Sequence, residues 1–282
     1  MFTEDIRNQV MALSVRLGDK PAKVSIEIKG TANAVRLAED LLASICRYGR
    51  NDQFELVCDA VETVAENLAW DGWAVFEILH DASEEKEFFR LHGFSTLGLY
   101  KRWSRYIQRV PRADWQFAGK RTVVLPLEDL WVIHMPPLLG GKKGHKKLIS
   151  QLARYHKLTP DFQMAEMSEQ RKRFTLDFDY YHKTKIIREW QLTKRWGWNH
   201  RSFSTDDTTK LHLFYRTITF SWALAVLREH ILQELNRLLT RLGVEATIAW
   251  SGLPLPEEVL RVRKQMLDGE LSFGEAWHRV EL

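Results

Sequence analysis

The residues best placed to do chemistry are basic. Lys142, Lys143, Lys146 and Lys147 stand in KKGHKK, with glycines on its N-terminal side. Lysines in a Gly-rich loop make sequence-independent contacts to phosphate groups. The same composition also suits a solvated surface loop. The spacing is not that of a nucleotide-binding loop, which ends in Gly-Lys-Ser/Thr. Glu27-Ile28-Lys29 has the Glu-x-Lys pattern of many metal-dependent nucleases. Such a site also needs an aspartate on a neighbouring strand. Asp19 is near but reads as a turn residue, and ordinary strand surfaces alternate charges often. His80, His134, His145 and His156 do not have metal-ligand spacing, and His134 closes an apolar run as a structural histidine does. Lys194-Arg195-Trp196-Gly197-Trp198 places two aromatics in a basic segment, which fits stacking on bases or anchoring a protein interface. No Gly-x-Ser-x-Gly elbow is present, and nothing marks a carboxylate pair for acid–base work.

Charge is unevenly spread. The net charge is +4, but residues 1–100 carry −7, residues 101–201 carry +13 and residues 202–282 carry −2. No acid occurs between Asp129 and Asp161, a window that also holds Arg154 and Lys157. A basic middle third between acidic flanks implies a surface that faces a polyanion. The 45% hydrophobic and 28% charged content is that of an ordinary soluble globular protein. Several of the 11 tryptophans sit in polar or basic surroundings: Trp103, Trp115, Trp190, Trp196 and Trp198. They suit subunit contacts or the closing of a thin core. Cys46 and Cys58 are too few for a structural zinc site and read as buried free thiols. The opening MFTEDIRNQ lacks the apolar core of a secretory leader. No run approaches the about 18 apolar residues of a membrane span. A reducing, aqueous compartment is expected.

The elements that must position these residues alternate between helix and strand. Residues 1–19 have helical spacing. Lys23 to Lys29 alternates as a half-buried strand does. A helix follows from Thr31 to about Arg47. A second helix runs to about Trp70, with Val61, Val64, Ala65 and Leu68 on one face. Asp71-Gly72 breaks it, and a strand spans residues 73–80. Phe88–His92 pairs with that strand. Tyr106–Arg109, Arg121–Leu125 and Leu130–His134 read as short strands, the last stopped by Pro136-Pro137. Leu138–Gly144 is a loop, then come helices over His145–Leu158 and Pro160–Arg173, a strand over Phe174–Tyr181 and a basic helix over residues 182–196. A long helix covers about Thr209–Leu242 and stops at Gly243. Val244–Trp250 is a strand, Pro256 to Leu267 a helix, and Ser272–Val280 a last short helix.

The order of these pieces resembles tailed-bacteriophage portal proteins. ETVAENLAWDGWAVFEILHD is similar to the family's helix–Gly–strand element, with Trp70, Asp71, Gly72, Trp73 and Ala74 at the turn. LEDLWVIHMPP resembles its Asp-hydrophobic-hydrophobic-His strand at Asp129, Val132 and His134. The helix Leu213–Leu239 is similar to the family's late long helices at Arg228, Ile231, Leu232, Leu235 and Asn236. The likeness covers roughly residues 20–140 and 205–275.

The resemblance implies an α+β, portal-like fold. Residues 1–100 would form a wing-like α/β region, 101–140 a short-strand clip-like region and 141–201 a basic helical region. Residues 202–282 would supply the long stem or channel helix with a C-terminal strand and short helices. It also implies a ring, usually of twelve copies, at one capsid vertex of a virion made in host cytoplasm. Double-stranded DNA would pass through it. Capsid protein, packaging motor and tail adaptor are the implied partners, with no cofactor, no metal and no membrane. The chain itself would not be an enzyme, because the motor hydrolyses ATP. Lys142, Lys143, Lys146, Lys147, Arg171, Lys172 and Arg173 are expected to face DNA. Trp103, Trp190, Trp196, Trp198 and Trp222 are expected at subunit interfaces. The alternatives are a nucleic-acid-binding protein or metal-dependent nuclease using Glu27 and Lys29, and a structural adaptor without DNA contact.

Overall fold

The structure, a computed structural model, describes residues 1–11, 24–47, 52–83, 86–114, 119–157, 186–199, 209–272 and 275. Helix α1 (Phe2–Gln9) precedes strand β1 (Ser25–Gly30). Ile26 and Ile28 of β1 point inward while Glu27 and Lys29 point out, as alternation requires. Helix α2 (Ala32–Ala43) starts at Thr31, whose side chain accepts from the Ala34 N–H. Helix α3 (Gln53–Asp71) starts at Asp52, whose carboxylate accepts from the Glu55 N–H at 2.7 Å. It ends at Gly72, which takes φ 71° and donates its N–H to Leu68 O. Strand β2 (Trp73–Ser83) leaves at once, so the helix–Gly–strand joint forms as its sequence dictates.

Strand β3 (Lys86–Gly93) is followed by β4 (Leu99–Arg102), β5 (Arg105–Arg109), β6 (Thr122–Pro126) and β7 (Leu130–His134). Then come helix α4 (Gly141–Lys157), the helical residues 186–192 (α5) and the long helix α6 (Lys210–Arg241). Strand β8 (Ala246–Ser251) and helix α7 (Pro256–Leu267) follow. The fold is mixed α+β, and among the described residues every strand pair is antiparallel. The sheets are β1–β8, β3–β2–β7 and β4–β5–β6.

One apolar cluster draws on residues from Phe2 to Leu253. The stretches 1–100 and 202–282 share it, because β1 pairs with β8 in register from Ser25–Ser251 to Gly30–Ala246. The 101–140 stretch divides: β5 and β6 join β4, while β7 pairs with β2. Asn236 fixes α6 to β8 twice, donating to Ile248 O at 3.0 Å and accepting from Ile248 N at 2.8 Å. Arg228 is buried, donates to Pro254 O, and is pushed down to about 10 by burial. Ile231, Leu232 and Leu235 are fully buried beside them. Among the described residues, no helix is long and apolar enough to cross a membrane.

The expected loop Leu138–Gly144 is corrected. Leu138 and Leu139 belong to a 3-10 turn (Pro137–Leu139) that ends at Gly140, and α4 begins at Gly141. Three glycines argue against helix locally. Burial of His145, Leu148 and Leu152 along one face overrides that preference. A Cβ at Gly144 would meet nothing within 4 Å. Gly144→Ala is therefore expected to stabilise the chain by about 0.5–1 kcal/mol, read from a urea unfolding curve. No change in midpoint would count against a helical Gly144.

Candidate nucleic-acid interface

The basic window is seated on the α3–β2 joint. His145, the first buried residue of α4, donates from Nε2 to Ala69 O at 2.8 Å. The carbonyl can only accept, so Nε2 carries the proton and Nδ1 is left without a partner. Burial pushes this histidine's pKa down, which keeps it neutral at pH 7. Gly72 packs directly beneath α4. A Cβ there would lie 2.8 Å from Lys142 O and 3.4 Å from His145 Cβ. On the other side, Met135 N donates to Gly72 O at 2.9 Å, which ties the chain after β7 to the same turn.

Trp73 is the hub. The Lys142 ammonium sits over its ring, 2.9 Å from the centroid. The His134 ring is stacked with Trp73 at 5.9 Å, and Tyr106 tilts against it at 6.1 Å. Burial first and Lys146 second push Lys142 down to about 8, with Asp71 pulling the other way. His134 is lowered by burial and then by Lys142. Between about 8 and the ordinary value of 10.5 the unfolded chain binds more protons than the folded one. Stability contributed by Lys142 must therefore rise with pH across that window. Urea unfolding is expected to show the native chain gaining on Lys142→Met between these pH values, and a flat difference would count against a buried cation.

Lys143, Lys146 and Lys147 are exposed on the first two turns of α4. They project from a helix whose first turn carries no acid. Arg171, Lys172 and Arg173 lie outside the described residues. Four lysines named from sequence are thus held together, one on Trp73 and three toward solvent. Sequence reading missed Trp73 as their support. The available signal was its place directly after Gly72.

The tryptophans divide by environment. Trp103 is 89% exposed at the β4–β5 turn and has φ 59°. Trp190 and Trp222 are half-buried. Trp196 and Trp198, expected at a subunit interface, are 1% and 3% exposed inside the chain's own core, which corrects that expectation. Trp196 meets Phe2 edge-on at 5.5 Å, and Trp198 does so at 5.3 Å. Trp198 Nε1 donates to buried Asp5 at 2.9 Å. Asp5 falls three residues after Phe2 on the apolar face of α1, a pattern that could have flagged a buried partner. Arg216 anchors the same region from α6. It donates to Trp190 O at 3.1 Å, Thr193 Oγ1 at 2.8 Å, Asn199 Oδ1 at 3.2 Å and Trp198 O.

Glu27 and Lys29 face solvent on β1, with Lys29 Nζ 3.9 Å from Glu27 Oε2. They form a surface pair. Among the described residues, no three His, Cys, Asp or Glu side chains are grouped to hold a metal ion. No protein-family model matches the chain, and no curated protein matches it.

Proposed function

We propose that this chain is a portal-type structural subunit. It assembles with copies of itself into a ring, of twelve by family resemblance, at a capsid vertex, and passes double-stranded DNA. The observation that carries the reading is the seating of the start of α4 on the Asp71–Trp73 joint through Lys142 and His145, which holds Lys143, Lys146 and Lys147 exposed beside it. A DNA passage must attract a polyanion without reading its sequence, and a firmly held row of cations does that. The β4–β6 sheet then takes the clip position. With the loop before β4 it exposes Trp103, Leu97 at 75% and Val124 at 51%, apolar surface that suits contact with neighbouring copies or adaptor proteins. Capsid protein and packaging motor complete the partners.

Native mass measurement and electron microscopy of the purified chain test this. Closed rings are expected. A monodisperse monomer at high concentration, with no ring under any condition, overturns it.

A further inference from the structure

We propose that the cleft between the start of α4, the α5 turn and the α6–α7 pair is a phosphate-binding site. It has a volume of about 630 Å³. Lys147, Lys194, Arg195 and Arg263 line it, and among its described lining residues there is no Asp or Glu. Four cations around one concavity repel one another, and an oxyanion between them relieves that repulsion.

Three independent features favour a phosphate there. First, α4 begins at the cleft with Gly140-Gly141, and its first turn contributes no acid to the positive end of its dipole. Second, Arg195 is folded over that helix start. A Cβ on Gly140 would come within 3.1 Å of Arg195 Nη1, so the missing side chain is what admits the guanidinium. An arginine placed against the positive end of a helix is unfavourable unless an anion joins them. Third, Trp196 lines the same cleft, and its buried Nε1 donor has no partner. On the opposite wall, the Arg263 guanidinium lies 5.9 Å from the Tyr215 ring, which orients its planar fork. Two guanidinium forks and two lysines match the oxygens of a phosphate group.

The site is complete within one chain and does not depend on the ring. Calorimetric titration of the purified protein with inorganic pyrophosphate at low salt tests it. Saturable binding is expected, weakened roughly tenfold or more in Arg195→Gln/Arg263→Gln, because each substitution removes a charge-assisted hydrogen bond. Lys120→Gln, which removes one charge outside the cleft, should leave binding as it was. Lys147→Gln gives a second readout if the double variant fails to fold. Absence of saturable binding, or equal weakening by Lys120→Gln, overturns the proposal. Competition identifies the source. A short duplex DNA that displaces pyrophosphate with the same variant sensitivity assigns the site to nucleic-acid backbone. Displacement by inorganic phosphate but not by DNA assigns it to a small phosphorylated ligand. Rings that bind no pyrophosphate overturn this inference alone; a monomer that binds it overturns only the ring.

Discussion

Gly197→Ala is expected to lower folding stability by about 3–5 kcal/mol. The residue has φ 69°, where an L side chain is strained by about 1–2 kcal/mol. The larger cost is steric. A Cβ would fall 2.4 Å from Arg216 O, 2.5 Å from Thr219 Cβ and 2.7 Å from Phe220 N. Two of these atoms belong to the α6 backbone, which cannot yield without distorting the helix. The neighbours cannot yield either. Trp196 packs on Phe2 and His145, and Trp198 is held by Asp5. Gly269→Ala is the control, since it shares a positive φ of 75° but its Cβ would meet nothing within 4 Å. A urea midpoint that falls sharply for Gly197→Ala and slightly for Gly269→Ala, at similar slopes, is the expected result. Equal costs would mean that the close approach to α6 is wrong.

This site shows where sequence reasoning reached and where it stopped. Local signals placed α3, Gly72 and β2, because amphipathic spacing and a turn dipeptide act within a few residues. The strand Leu130–His134 was legible for the same reason, a short apolar run closed by prolines. Strand β4 was not, since LYKR is mostly polar and is ordered by β5 beside it. The pairing of β1 with β8 joins residues over 200 positions apart, and no local pattern encodes it. The basic Trp-Gly-Trp segment misled because its charges and its rings go different ways. Lys194 and Arg195 face solvent while the indoles turn inward. Composition identified the basic site, but its support came from Trp73 and Ala69, distant residues that only packing brings to α4.

The second large effect concerns the exposed lysines. Lys143→Glu/Lys146→Glu/Lys147→Glu is expected to weaken binding of a short DNA duplex by about 100- to 1,000-fold at low salt. The slope of log affinity against log salt should fall by about 3, one unit for each lysine that no longer meets a phosphate. Lys142 is left in place because it packs on Trp73 and its removal would disturb the joint. The substitution separates binding from folding. All three positions are exposed on the first two turns of α4, where the helix dipole favours acids over lysines. The variant should therefore unfold at the same urea concentration as the native chain, or a higher one. Reduced DNA affinity with intact stability is the signature of a surface that faces a polyanion. An unchanged affinity and slope would show that these lysines are a solvated helix face, and the DNA-passage reading would then lose the observation on which it rests.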